Sequence, residues 1–156
     1  MASSARRKRV LAVASTGGHW QQLMQLAPAF EGSDVTFAST DAGQAENYDF
    51  ERFIALKDYN QNEKLKMLAG LAETFGVIRR LRPDVVISTG AAPGLLCLLW
   101  GRVMGARTIW VDSIANSQEM SLSGRLAPKF CHVVLTQWEH LATESDGRVQ
   151  HWGSVL

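Results

Sequence analysis

The amino-acid sequence predicts an α/β fold, a doubly wound parallel sheet with helices on both faces. Three observations point there. Short continuous apolar runs recur along the chain, as strands buried on both faces require. Stretches of helical periodicity separate them. Turns of glycine and other small residues follow two of the runs, as strand-to-helix connections often do.

The first strand is expected over residues 10–14, Val-Leu-Ala-Val-Ala, followed by a glycine-bearing turn over 15–18. A helix is expected over 19–30, with Leu23, Leu26, Ala27 and Phe30 on one face and Pro28 kinking or ending it. Residues 35–38 and 52–56 read as the second and third strands, separated by a polar loop over 40–49. The longest helix is expected from Asn62 to Leu81, with Leu68, Leu71, Ala72, Phe75 and Ile78 as its core face and Pro83 as its stop. Its second face carries Met67, Gly70, Thr74 and Val77, flanked by Lys64, Lys66, Arg79, Arg80 and Arg82. That face suits cover by another subunit or contact with a membrane interface.

Residues 84–88 form the fourth strand, and Thr89-Gly90 opens a turn. Pro93 is tolerated in the first turn of the next helix, expected over 94–104 and apolar nearly all round, with Gly105 ending it. A strand over 108–112, a short helix over 122–127 and a strand over 131–136 follow. Residues 149–152 are a candidate for one more strand.

Composition narrows the function classes. The chain has 156 residues, 46% hydrophobic and 20% charged, with a formal net charge of +1. That length suits one domain, expected over 10–156 behind a basic tail, 1–9, which carries Arg6, Arg7, Lys8 and Arg9. The apolar share excludes disorder for most of the chain. The balanced charge argues against a dedicated nucleic-acid binder. Cys97 and Cys131 sit in apolar surroundings without metal-ligand spacing, and read as buried thiols of a reducing compartment. The longest apolar stretch, 91–100, contains Pro93 and Gly94 and falls far short of the ~20 residues of a spanning helix. The run after the basic cluster is too short for a signal-peptide core. A cytoplasmic location is expected, with the basic cluster either a solvated tail or a contact for anionic lipid.

In such a sheet, ligands bind beyond the carboxyl ends of the strands, so the residues just after each strand matter most. Ser15-Thr16-Gly17-Gly18-His19 lies between a strand and a helix. Two glycines let backbone amides approach an anion, and the helix N-terminus adds its dipole, so phosphate or diphosphate is a natural guest. A plain tight turn is the alternative. The loop lacks the residues of the dinucleotide and Walker motifs. His19 suits a general base, a hydrogen-bond donor or a structural helix-start residue. Ser88-Thr89-Gly90 is a second small-residue turn, open either to a ligand or to close helix packing. Asp112-Ser113 ends a strand, and Asp112 suits proton transfer, a sugar hydroxyl or capping of the next turn. His132, His140 and His151 have no metal-site spacing, and His132 reads as structural.

Taken in order, these blocks resemble the Alg14-like family, including bacterial exopolysaccharide proteins of the PssD type. More distantly they resemble the N-terminal half of MurG-like glycosyltransferases of the GT-B fold. The resemblance rests on the S-T-G-G-H loop with Gln22-Leu23 and Leu26, on residues 82–90 (R-P-D-V-V-I-S-T-G), on residues 109–113 (I-W-V-D-S), on residues 122–126 (L-S-G-R-L), and on Gln137-Trp138 before Gly153. It implies a Rossmann-like, acceptor-side half of a two-chain inverting transferase. An Alg13-like or PssE-like subunit would bind the nucleotide-diphosphate sugar, and the acceptor would be a sugar on a polyprenyl diphosphate at the cytoplasmic membrane face. It implies His19 as general base or diphosphate contact and an acidic residue, Asp112, near the acceptor. Thr16, Gly17, Gly18, Ser88, Thr89, Gly90 and Ser113 would line the diphosphate site. No cofactor and no metal are expected, since the chain has no D-x-D carboxylate cluster, and little activity is expected from the chain alone. Eukaryotic members carry an N-terminal membrane anchor where this chain has only the basic cluster, so peripheral attachment is expected. Two other classes also fit the sequence: a flavodoxin-like nucleotide or flavin binder, and a non-catalytic scaffold that recruits a transferase to the membrane.

Overall fold

The structure, a computed structural model, describes residues 6–59 and 63–154. Six strands form one parallel sheet in the order β3-β2-β1-β4-β5-β6. They are β1 (Arg9–Ala14), β2 (Asp34–Ser39), β3 (Phe53–Ala55), β4 (Val85–Ser88), β5 (Arg107–Val111) and β6 (Val133–Leu135). The helices are α1 (Gly18–Leu26), α2 (Gln44–Asn47), α3 (Lys64–Leu81), α4 (Ala92–Val103), α5 (Leu122–Leu126) and α6 (Glu139–Thr143).

Strand β1 explains why the sheet is wound on both sides. Its alternate side chains enter different cores. Leu11 and Val13 join Val77, Ile78, Cys97, Leu98 and Trp110 in the core under α3 and α4. Val10, Ala12 and Ala14 join Trp20, Leu23, Ile87 and Val111 in the core under α1. A strand buried on both faces must be apolar at consecutive positions, which is the pattern its sequence carries. On the α1 side, Trp20 is 2% exposed and meets Phe37, Tyr48, Phe50 and Phe53 edge-on, with ring centroids 5.8–6.3 Å apart.

The amino edge of the sheet is fastened by Asp84. Its carboxylate accepts from the Arg9 backbone N–H and from the Arg6 guanidinium, both at 2.8 Å. The Arg9 backbone bond, with Arg6 and against the effect of burial, holds the carboxyl below its ordinary range. Arg9 therefore begins β1, although the sequence reading assigned it to the basic tail.

Several elements differ from expectation. Pro28 divides the first helix, so that α1 ends at Leu26 and a 3₁₀ turn, Ala27–Phe30, follows. Helix α2 occupies part of the expected polar loop, and α6 was not expected. The closing strand is reduced to one parallel bridge, Leu135 to Gln150. Positive φ angles at Asp146 and Gly147 turn the chain just before it, and pairing does not extend beyond the bridge. Asn62, the expected start of α3, lies outside the described residues.

The largest correction is the rotation of α3. Its buried residues are Gly70, Thr74, Val77 and Ile78, whereas Leu68 is 62% exposed and Phe75 38%. Small residues face inward because the helix lies close to its neighbours. A Cβ on Gly70 would lie 2.7 Å from the Tyr59 ring. Thr74 turns its hydroxyl back onto the Gly70 carbonyl at 2.6 Å, which satisfies it within the helix. Larger leucines would hold the helix off the sheet. Ile78 belongs to both the expected and the observed face, so Leu68 decides: in urea denaturation, Leu68→Ser is expected to change stability by less than about 0.5 kcal/mol, against about 2–5 kcal/mol for Ile78→Ala; a comparable cost for Leu68→Ser would restore the expected face.

Candidate functional site

The strand order places a switch point between β1 and β4, the position where ligand crevices form in open α/β sheets. The loop after β1 feeds α1, and the loop after β4 feeds α4. Gly17 takes φ +67 to cap α1, a conformation that favours glycine. No described side chain caps this end, and the first intrahelical bond runs from Gln21 N–H to the Gly17 carbonyl at 3.0 Å. The amides of Gly18, His19 and Trp20 therefore lie in the uncompensated first turn. Thr16, Gly17 and Gly18 are exposed, so the loop is an open shelf.

His19 is fixed across the switch point. Its Nδ1 lies 3.0 Å from the Thr89 carbonyl oxygen. A carbonyl only accepts, so Nδ1 carries the proton and a neutral ring presents an unprotonated Nε2. In return, the Thr89 hydroxyl donates to the His19 carbonyl at 2.6 Å. Gly90, at φ +155, must be glycine because a Cβ there would collide with the imidazole. Ala91 holds a positive φ of 70, a strained setting for a residue with a side chain. Ser88 braces this turn, accepting from the Gly90 N–H at 3.2 Å.

The expected site residues thus fall into two groups. Thr16, Gly17, Gly18 and His19 stand on the shelf. Ser88 and Thr89 are fully buried, and their hydroxyls are engaged with Gly90 and His19, so they shape the site from beneath.

Asp112, 1% exposed, lies just past β5 and closes the loop that follows. Its Oδ1 accepts from Trp110 Nε1 at 3.0 Å and Ser121 Oγ at 2.6 Å. Its Oδ2 accepts from Ser121 N–H at 3.0 Å and Asn116 Nδ2 at 3.2 Å. Four donors leave this carboxylate committed to loop geometry. Ser113 Oγ accepts from Gln22 Nε2 at 3.3 Å, and Gln22 Oε1 accepts from Gln137 Nε2 at 2.8 Å. Gln137 Nε2 also lies 3.2 Å from the Asp112 carbonyl. This buried amide relay links α1 to the carboxyl ends of β5 and β6. Neither glutamine was singled out as a site residue. The available signal was the place of Gln22-Leu23 and Gln137-Trp138 in the family resemblance, since spacing does not set Gln22 apart from Gln21 and Gln25 in α1.

The two cysteines and His132 are structural. Burial pushes the Cys97 and Cys131 thiols up to about 12, which leaves them unreactive. His132 Nδ1 sits 3.0 Å from the Thr108 hydroxyl, and burial, then Arg102 and Arg107, lower its pKa. Among the described residues, no group of three or more His, Cys, Asp or Glu could hold a metal ion, and no helix is long and apolar enough to cross a membrane.

Residues 48–155 match the family described as oligosaccharide biosynthesis protein Alg14 like. The chain belongs to the Alg14-like family. It is 27% identical over 167 residues to the UDP-N-acetylglucosamine transferase subunit ALG14 of Eremothecium gossypii, an alignment spanning 86% of this chain and 75% of that protein. Among solved structures it superposes on Acinetobacter baumannii MurG with a TM-score of 0.69 at 16% identity, over 83% of this chain and 41% of MurG. It superposes on the UDP-N-acetylglucosamine 2-epimerase of Rickettsia bellii with a TM-score of 0.72 at 13% identity, over 96% of this chain and 45% of the epimerase. These likenesses establish a shared fold, and this Alg14-like chain spans less than half the length of either structure.

The close fit of Gly90 to His19 is testable. Gly90→Ala is expected to lower stability by about 1–3 kcal/mol through backbone strain and to displace the imidazole, shifting the His19 ring signals in NMR spectra. Unchanged ring signals would mean that the turn does not hold His19.

Proposed function

We propose that this Alg14-like chain is the acceptor-side subunit of a two-chain inverting glycosyltransferase of polysaccharide or exopolysaccharide biosynthesis. Its partner is an Alg13-like or PssE-like subunit that binds a nucleotide-diphosphate sugar. Its acceptor is a sugar carried on a polyprenyl diphosphate at the cytoplasmic face of the membrane. One observation carries the reading: an exposed glycine loop at the switch point presents His19 with Nδ1 anchored to the Thr89 carbonyl and, among the described residues, no partner on Nε2.

The chemistry follows from that anchoring. The acceptor hydroxyl oxygen attacks the anomeric carbon from the side opposite the nucleotide, and its proton passes to His19 Nε2. The bond from the anomeric carbon to the diphosphate breaks, and the electron pair leaves with the nucleotide on the partner subunit. Configuration inverts because one displacement occurs. The imidazolium that results keeps its Nδ1–H on the Thr89 carbonyl, which stabilises the charge without moving the ring. The acceptor diphosphate lies against the Gly17 and Gly18 amides and the Thr16 hydroxyl, at the positive end of α1. Ser88, Thr89, Gly90, Asp112 and Ser113 act as positioning residues, since their polar groups face the protein.

The outer face of α3 supports peripheral membrane attachment. Leu65 is 83% exposed and Leu68 62%, with Phe75 on the same side. Lys64 and Lys66 stand at one end of this apolar stripe and Arg79 and Arg80 at the other. Such a helix suits the headgroup boundary.

With the partner subunit, donor and polyprenyl-diphosphate acceptor reconstituted, His19→Ala is expected to lower kcat about 10²- to 10⁴-fold. The single chain should transfer little or nothing. Full transfer by the complex with His19→Ala would remove the base role, and full transfer by a chain with a disrupted 15–19 loop would favour the scaffold. In vesicle flotation, Leu65→Ser with Leu68→Ser should release the chain from neutral phosphatidylcholine; retention would point to the α3 face as a protein contact.

A further inference from the structure

A groove of about 520 Å³ lies at the amino edge of the sheet, opposite the His19 shelf. Lys8, Arg9, Arg82, Asp84, Met104 and Arg107 line it. Sheet register brings their backbones to this edge. Val85 pairs with Val10 on one side and with Arg107 on the other, so Arg9 and Arg107 stand at the starts of the two strands that flank β4.

These cations are rooted in backbone structure. The Lys8 carbonyl accepts from Asp34 N–H at 2.8 Å, Arg82 N–H donates to the Ile78 carbonyl at 2.8 Å, and Arg107 N–H donates to the Asp84 carbonyl at 2.9 Å. The acid in the groove is already engaged. Asp84 binds the Arg6 guanidinium and the Arg9 amide. Among the described residues, Lys8, Arg82 and Arg107 have no carboxylate partner. Arg9 Nε is buried without a hydrogen bond, 3.6 Å from Asp84 Oδ2. Three cations without a carboxylate partner therefore stand around one cavity with Arg9, whose own ion pair with Asp84 is long.

We infer that this groove is a binding site for a phosphate-class anion, distinct from the acceptor shelf. Guanidinium forks and an ammonium group match tetrahedral phosphate oxygens. Met104, 43% exposed, lines the groove, and Val103, 66% exposed, precedes it. Apolar surface beside the cations fits an acidic phospholipid headgroup, while a free phosphate or diphosphate offers the same chemistry. The inference does not depend on the transferase reading, because both ligands can be measured without turnover.

The test uses the full chain and two probes. Inorganic phosphate and pyrophosphate are titrated while backbone amide signals of residues 8–9 and 105–107 are followed. Flotation then compares vesicles of phosphatidylcholine alone with vesicles containing phosphatidylglycerol. Both the amide shifts and a gain on acidic vesicles are expected. Lys8→Gln with Arg107→Gln should lower the partition constant on acidic vesicles about 25-fold, near fivefold per cation, and abolish the phosphate shifts. Lys8→Arg with Arg107→Lys should preserve both. A melting curve checks that each variant folds, and Lys8→Gln alone, outside β1, serves if the double variant does not. Amide shifts without a vesicle gain would keep the site and assign it to a soluble anion. No response to either probe, or a wild-type response from the Gln variants, would overturn it.

Discussion

The site rests on a reciprocal pair of hydrogen bonds across the switch point, His19 Nδ1 to the Thr89 carbonyl and the Thr89 hydroxyl to the His19 carbonyl. Each is worth only about 1 kcal/mol net. Their consequence is larger than that figure, because Thr89 is fully buried and a broken pair would leave its hydroxyl unsatisfied. The pair selects a tautomer, aims Nε2 and sets the separation of the β1 and β4 loops in one step. The oddities of the second loop serve it. Gly90 lacks a Cβ that would strike the imidazole, Ala91 accepts a positive φ, and Gly94 leaves space for the Ser88 hydroxyl that braces the turn.

A polar interior surrounds this pair at one end of the sheet. Ser39, Ser88, Asp112, Ser113, Thr136 and Gln137 are all buried, and all lie at or just beyond the carboxyl ends of strands. Burying polar groups costs free energy unless each finds a partner. The Gln22–Gln137 bridge and the four donors on Asp112 meet that requirement. The strands themselves are mostly apolar below this layer. Much of the internal hydrogen-bond network therefore lies at the end where a ligand would arrive, behind the exposed loop, while Thr108 with His132 forms a separate polar contact near the starts of β5 and β6.

What the sequence made legible follows from the same division. All six strands could be read, because β1, β4 and β5 are apolar at consecutive positions and each is punctuated by small residues or turns. Helix α3 could not be oriented. Its large residues, Leu65, Leu68 and Phe75, form the more hydrophobic stripe, yet the face that packs is the one small enough to approach Tyr59 and α4. Periodicity reports where apolar side chains lie around a helix; it does not report how close the neighbour must come. His19 and the glycine loop were readable from their place after a strand. The inward engagement of Ser88 and Thr89 was not, since a buried hydroxyl and a ligand-facing one look alike in sequence, whereas the loop-closing role of Asp112 was among its readings as a cap of the next turn. Gln22 and Gln137 escaped for a related reason: their significance depends on three elements meeting.

The distribution of charge bears on how the shelf can hold an anion. In a parallel sheet the crossover helices start at the carboxyl edge and end at the amino edge, so their positive dipole ends gather at the shelf and their negative ends at the opposite edge. The basic residues follow the second set. Arg79 and Arg80 occupy the last turn of α3 and Arg102 that of α4, with Lys8, Arg9 and Arg107 at strand starts nearby. The Ser15–Gly18 loop carries no basic side chain. An anion on the shelf must then be held by backbone amides and the end of α1, contacts of modest strength that salt screens and that fall off within a turn. A cradle of that kind weakens as ionic strength rises, whereas the exposed apolar stripe of α3 offers a surface whose contacts do not depend on charge.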